Sequence, residues 1–433
     1  MAPVPEKRPL VLHLVRPAAG GMSQALRAFY AALGGDGPYR YAVAGDLSPE
    51  LAQALEATPV GTARYPLALG DRVRPLAEPG LVWQLVRLLR GLRPQLLHVQ
   101  GFRASIPGRM AAALCGIPVV YSLHNWPPDY LPPGQARLSL WLERFLARWT
   151  AFYLPVSQAL AQRLESVTGP DVRRRLRVVP PALDPTPFLA GGSDGAAGTT
   201  APPQAGPARP AAATEDSGTA SGLPALPAGA PLVLTVARLV PSKGLETLVQ
   251  AVAILKRQMQ TEGRAEGGRW TVSGPPPQFW IAGEGPQRPR LEELIYREGL
   301  QDQVRLLGQR HDVPQLLARA TLFVLPSESE GWGMTAAEAM LAGVPVIATP
   351  AGGLPEVLDG CGVLVPPRQP AALAAAIAGL LGDEQRRKEL SEKGRNASSA
   401  RFSPRRVVQE TERIYEYVLA DRASSSPGRQ EKP

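Results

Sequence analysis

The chain has 433 residues, 44% of them hydrophobic, which is enough to bury two or three cores and excludes wholesale disorder. Its two cysteines, Cys115 and Cys361, are too few for a disulfide scaffold or a four-cysteine zinc site, and a reducing compartment fits them. The net charge of +9 sits in the first half: residues 1–189 hold 21 Lys and Arg against 12 Asp and Glu, whereas residues 231–433 hold 25 against 23.

A basic half attracts phosphates, nucleic acid or an anionic membrane, and an arginine-rich solvated surface explains the same excess. No zinc-finger spacing and no strand mixing aromatic and basic residues occurs, so nucleic acid is not an expected partner.

The first apolar run, over 10–15, is too short for a signal-peptide core and is bracketed by Lys7, Arg8 and Arg16. It reads as a first strand. No apolar run reaches the ~18–20 residues that span a bilayer, so a cytoplasmic protein is expected. Helical patterns at 22–33 and 81–92 then alternate with short apolar runs at 96–99, 119–122 and 152–156. Residues 190–230, rich in Gly, Ala, Pro, Ser and Thr, have too few large apolar side chains to offset the entropy of ordering and read as a flexible linker. The second half repeats the alternation, with strands at 232–236, 279–282, 322–325 and 346–348. Its helices fall at 245–255, 288–298, 313–320 and 335–342. A polar, Gly-rich loop insert is expected at 261–277 and a last helix at 404–419, with Ser403 as N-cap and Pro404 opening it. Val407, Thr411, Ile414, Tyr415 and Val418 give that helix one face to bury. Residues 422–433 read as a disordered tail.

Unbroken apolar strands alternating with helices imply parallel sheets covered on both faces. Two such sets predict an α/β protein of two doubly wound domains. Ligands of such sheets sit beyond the carboxyl ends of the strands, here in the cleft between the domains.

The segment PSESEGWGMTAAEAM, 326–340, follows a strand and opens a helix. Glu330 and Glu338 lie eight apart on it. Gly331 and Gly333 allow close backbone approach, and the amides of Gly333, Met334 and Thr335 would form a helix N-terminus suited to an anion. Arg238 follows a strand end and Lys243 precedes a helix, so the pair could clamp a diphosphate without metal. The segment IAGEGP, 281–286, imitates the start of a dinucleotide fingerprint but lacks the downstream acidic residue. Gly20 and Gly21 form a tight turn after the first strand. His124 stands at a strand's carboxyl end, whereas His13 and His98 fall inside strands and read as packed, and His311 as a loop residue. The absence of Asp-x-Asp, a Walker A loop and His-Glu-x-x-His argues against a Mg-dependent sugar-nucleotide site, a P-loop ATPase and a zincin.

Together these segments resemble a family 4 retaining glycosyltransferase of the GT-B fold, most specifically over 305–358 with its Glu-x7-Glu. VARLVPSKGLETLVQA resembles the family's phosphate-binding strand and helix, RPAAGGMSQALRAF its N-terminal glycine loop, and SLHNW its active-site His segment. Trp332 stands where the family commonly has Phe, Pro181-Ala182-Leu183-Asp184 replaces an Asn-Gly-Val/Ile-Asp, and Ser23 and Gln24 stand where an acidic residue often follows the glycines.

The resemblance implies two Rossmann-like parallel-sheet domains facing across a cleft: an acceptor-side domain at 1–189, the linker at 190–230, and a nucleotide-sugar donor domain at 231–403. The helix at 404–421 would pack back on the first domain. It implies a metal-independent transfer, needing no cofactor, from a nucleotide-sugar (UDP-sugar by default, GDP-mannose next) to a glycan or lipid-linked acceptor in polysaccharide or glycolipid synthesis. Glu338 would bind the ribose hydroxyls and Glu330 would sit by the donor sugar. Arg238 and Lys243 would hold the diphosphate with the amides of Gly333, Met334 and Thr335. Gly21 would face the phosphates from the other domain, and His124 would lie near the anomeric carbon. Rival readings are a sugar-nucleotide epimerase, a glycogen-type synthase, or a catalytically silent nucleotide-sugar-binding protein.

One stretch of the first half bears on membranes. Leu138, Trp141, Leu142, Phe145 and Trp149 share a helical face, and Arg137, Arg144 and Arg148 share another. The reading adopted is a core helix with an exposed basic face; peripheral contact with an anionic membrane is the alternative.

Overall fold

The computed structural model describes residues 8–16, 21–56, 58, 62–70, 78–129, 131–189, 223–262 and 274–425. Gly20, most of the expected linker (190–222), most of the expected insert (263–273) and residues 426–433 lie outside the described residues.

The N-terminal sheet comprises β1 (Leu10–Val15), β2 (Arg40–Gly45), β3 (Ala63–Pro66), β4 (Leu96–Gln100), β5 (Val119–Leu123) and β6 (Phe152–Pro155). The C-terminal sheet comprises β7 (Leu232–Val236), β8 (Gln278–Ala282), β9 (Val304–Gly308), β10 (Leu322–Leu325), β11 (Val346–Ala348) and β12 (Val363–Leu364). Every pairing is parallel, in the orders β3-β2-β1-β4-β5-β6 and β12-β11-β10-β7-β8-β9. Read from β9, the second order repeats the first. Both are the doubly wound arrangement of the expected α/β fold, whose switch points fall between β1 and β4 and between β7 and β10.

The strands are buried because side chains of both parities meet helices. Leu12, Leu14, Leu97 and Val99 pack toward the helices Glu78–Leu92 and Gly101–Cys115. Val11, Val15, Leu96 and Val120 pack toward Gly21–Ala31 and the last helix, Pro404–Ser425. A single apolar cluster continues from the N-terminal sheet through Val156, Trp332 and Phe402 into the C-terminal one. Trp332 meets Phe402 edge-on, ring centroids 4.6 Å apart, so its larger ring fixes the entry to the last helix.

Three expectations change. The last helix runs to Ser425, so residues 422–425 are helical, not tail; Arg422 donates to the Gly116 carbonyl there. Residues 223–230 are not free linker, since Leu223 and Ala230 are buried against the core. The helix Pro133–Leu146 turns Ser139, Glu143 and Leu146 inward, while Leu138 is 54% and Trp141 59% exposed. Its aromatic face is therefore not core. A buried ion pair sets that orientation. Arg109 binds both Glu143 carboxylate oxygens at 2.7 and 2.8 Å and lies 4.8 Å over the Tyr121 ring, so the helix is bolted inward through a charge.

Candidate active site

β10 ends at Leu325, and the chain turns through 326–333 into the helix Met334–Leu341. Gly333 caps that helix at φ +109°, a conformation open to glycine, and no side chain caps it. The first amides of the helix therefore face the cleft with their partial positive charge unanswered by any capping side chain. Gly21, at the start of the N-terminal sheet's first helix, lies against this end: a Cβ on Gly21 would come 2.8 Å from Met334 Cγ.

Around this helix end stand the expected charges. Lys243, at the end of a short 3-10 turn after β7, forms an ion pair with Glu330. The 326–329 loop is tied to the same turn, with Glu328 and Ser329 amides donating to the Ser242 carbonyl at 2.8 and 3.2 Å. Glu338 is 2% exposed, and burial pushes its carboxyl up to about 8. Arg238 is exposed at the end of β7. The structure thus gathers Gly21, Lys243, Glu330 and the 333–335 turn, and joins Lys243 to Glu330. Arg238 is not drawn into that cluster.

The N-terminal half supplies His124, just beyond β5. Its Nε2 lies 2.8 Å from Gln100 Oε1, and burial, reinforced by the Arg16 charge, takes the imidazole down to about 4. Its ring is therefore neutral at physiological pH. The His124 carbonyl lies against Gly331, where a Cβ would stand 2.0 Å from that oxygen. Only glycine lets the two halves meet so closely.

Three further clasps close the cleft. Ser157 Oγ donates to the Gly331 carbonyl at 2.9 Å. Glu356 accepts from the Gln158 and Ala159 amides at 2.8 and 3.1 Å, answering a helix N-terminus across the cleft. Asp129 accepts from Ser329 Oγ at 2.5 Å and from Arg163 at 2.7 Å. Sequence reasoning missed Gln100, Asp129, Ser157 and Glu356. Ser157 carried a signal, a serine between a strand and a helix in the N-cap position. The glycines of IAGEGP serve packing: Cβ atoms on Gly283 and Gly285 would strike the carbonyls of Ala237 and Leu239 at 1.9 and 2.4 Å.

Residues 19–186 match the family model of Glycosyltransferase Family 4, and residues 223–397 match that of Glycosyl transferases group 1. The chain belongs to the group 1 glycosyltransferases. Alpha-D-kanosaminyltransferase of Streptomyces kanamyceticus is 34% identical over 177 residues, covering 40% of this chain and 42% of that protein. The 2-deoxystreptamine glucosyltransferase of the same organism is 29% identical over 355 residues, 77% of this chain and 82% of its own. Among solved structures, Anabaena HepE in complex with UDP and glucose superposes with a TM-score of 0.70 at 21% identity, over 95% of this chain and 100% of that one. This is a likeness of fold. The two family matches face each other across the cleft: the first contributes Gly21, His124 and Ser157, the second Arg238, Lys243, Glu330 and Glu338.

Proposed function

We propose that the protein transfers a sugar, with retention at the anomeric carbon, from a nucleoside diphosphate sugar to an acceptor hydroxyl in the synthesis of a surface glycan, polysaccharide or glycolipid. The observation that carries this is the uncapped helix end at Gly333, closed over by Gly21 and flanked by Lys243, with the buried Glu338 carboxyl on the same helix. In this reading the helix amides, Lys243 and Arg238 take the diphosphate, and Glu338 takes the ribose hydroxyls. Charge that develops on the leaving diphosphate is met by groups already in place.

The bond from the anomeric carbon to the diphosphate oxygen breaks, and the acceptor oxygen bonds on the same face. The acceptor's proton passes to the departing diphosphate. No carboxylate nucleophile is needed, and neither is a metal, since fixed cations and the helix end answer the diphosphate's charge. The neutral His124 ring serves as a hydrogen-bonding group beside the reacting carbon, not as a charged acid. Glu330 releases Lys243 to the phosphates and turns to the donor sugar.

A thermal-shift panel of UDP, GDP, ADP and TDP with their sugar conjugates tests the reading. A specific binder at 100 times its Kd stabilises by about 2.7 kcal/mol. UDP or UDP-glucose is expected to give the largest shift, and no shift with any member would remove the donor site.

We also propose a cytoplasmic protein resting on an anionic membrane through the helix Pro133–Leu146. Leu138 and Trp141 are exposed side by side with Arg137, Arg144 and Arg148, and Arg148 stacks 4.1 Å from the Phe145 ring centre. Each Arg near an anionic surface is worth about 1 kcal/mol. Sedimentation with phosphatidylglycerol vesicles should exceed that with phosphatidylcholine, and Leu138→Ser with Trp141→Ser should abolish the difference. Equal partitioning of the parent chain would end the idea.

A further inference from the structure

A line of polar side chains, buried from His13 to Gln100 and Ser122 and half-buried at His124, runs across one face of the N-terminal sheet. His13 of β1 and His98 of β4 are register partners. Gln100 follows His98 by two residues on β4, and His124 follows Ser122 by two at the end of β5, so all five point to the same face. That face is covered by the helices carrying Tyr30 and Tyr415.

The bonds form a continuous chain. Tyr30 Oη is 2.6 Å from His13 Nδ1, and His13 Nε2 is 3.0 Å from Tyr415 Oη. Tyr415 Oη is 2.5 Å from His98 Nδ1, and His98 Nε2 is 2.8 Å from Ser122 Oγ and 3.2 Å from Gln100 Nε2. Gln100 Oε1 ends the chain at His124 Nε2, 2.8 Å away.

The orientation of the Gln100 amide, nitrogen toward His98 and oxygen toward His124, sets the protons of this chain. An amide nitrogen only donates, so the single lone pair of His98 Nε2 is shared between the Gln100 amide and the Ser122 hydroxyl, and His98 carries its proton on Nδ1. That proton goes to Tyr415, whose own proton goes to His13 Nε2. His13 is then protonated on Nδ1 and donates to Tyr30. At the other end the Gln100 oxygen accepts, so His124 is protonated on Nε2 and its Nδ1 keeps a lone pair. Turning the Gln100 amide over would reverse every donor in the chain. Burial holds all three rings neutral, lowering His13 to about 3, His124 to about 4 and His98 well below its usual value.

We propose that Gln100, His98 and Tyr415 are positioning residues: they fix His124 in the Nε2–H tautomer and so make the last helix part of the active site. The inference rests on the reading of His124 as a site residue. It goes beyond that reading by stating which ring nitrogen is left to accept from a substrate hydroxyl. A hydroxyl 402 residues from His13 in the chain sets it.

Nitrogen-15 NMR of histidine-labelled full-length protein tests the proposal without needing an acceptor. The chain has four histidines, so four single His→Gln variants assign every signal. The expected pattern is Nδ1–H for His13 and His98 and Nε2–H for His124. The reversed pattern, or a tautomeric mixture at His124 in the parent chain, overturns the proposal. Gln100→Leu should convert His124 to a mixture, and Tyr415→Phe, which removes one oxygen and keeps the ring, should disturb His98, His13 and His124 together. A Tyr415→Phe effect confined to His13 and His98 would overturn the link to His124. If UDP-glucose proves to be the donor, Gln100→Leu should lower kcat by about 10- to 100-fold with KM for the donor little changed. Titration with UDP separates the two claims: a His124 signal that ignores saturating UDP counts against the site reading while the tautomer pattern stands or falls by itself.

Discussion

The two sheets share one strand order and fill it differently. The C-terminal sheet is packed mainly with Val, Leu, Ile, Phe, Trp and Ala, with Thr235 and Gln278 its buried polar side chains, and it presents charge to the cleft from the loops beyond β7 and β10. The N-terminal sheet buries His13, His98, Gln100 and Ser122 on one face, and an Arg109–Glu143 pair between two helices on the other. One half presents a few charges and a helix end to the cleft from an apolar body. The other half builds its side of the cleft from hydrogen bonds that continue inward. Damage on the C-terminal side should therefore stay local and chemical, whereas damage on the N-terminal side should spread through the fold.

Arg109→Met is the strongest test of that contrast. It strands the Glu143 carboxylate in the core, and loss of one partner of a buried pair costs about 3–5 kcal/mol. Urea unfolding should show a loss of that size, and a loss below about 1 kcal/mol would mean that the N-terminal interior tolerates an unmatched charge. Lys243→Ala addresses the other side. Turnover should fall about 100- to 1,000-fold with the unfolding midpoint nearly unchanged, since a preorganised charge is lost from the cleft while the apolar body is untouched. Turnover within a few-fold of the parent removes Lys243 from the diphosphate site.

Glu338 sharpens the comparison with a smaller effect. Its folded value of about 8 lies above the usual 4.5, so the folded protein holds a proton that the unfolded chain has lost between those values. The associated stability is complete below 4.5 and is lost as pH rises to about 8. If the ribose hydroxyls bind the ionised form, nucleotide affinity moves the opposite way, rising about tenfold from pH 7 to pH 9. Calorimetry across that range, on the parent and on Glu338→Gln, should show the rise in the first and a flat profile in the second.

The donor side was legible because its residues are neighbours in the chain. Lys243 lies on one strand-to-helix turn, and Glu330, Gly333 and Glu338 lie on another, so strand, glycine and charge are read together. β2, β3, β9 and β12 were missed for physical reasons. β3 is an exposed edge, β12 has two residues, and β2 and β9 mix arginine and glycine into short apolar stretches. His13 and His98 were read as packed, and they are; their bonding to Tyr415 is a contact between chain ends that no local pattern encodes. The exposed face of Pro133–Leu146 was assigned inward because apolar periodicity reports which residues share a face, not which way it turns. Arg109 and Glu143 decide that direction, 34 residues apart.

The origin of Tyr415 also sets an order of assembly during synthesis. The N-terminal sheet is complete at β6, but the helix that covers its histidines is translated more than two hundred residues later. At roughly 5–20 residues per second that interval lasts about 10–50 s. For that time the nascent sheet displays His13, His98 and Ser122 to water, which can bond them until Tyr415 arrives. Val11, Val15, Leu96 and Val120 flank them on the same face, and aliphatic residues in place of the three polar ones would enlarge the sticky surface exposed during that interval. The polar residues on that face thus suit a half-molecule that must wait for the end of its own chain.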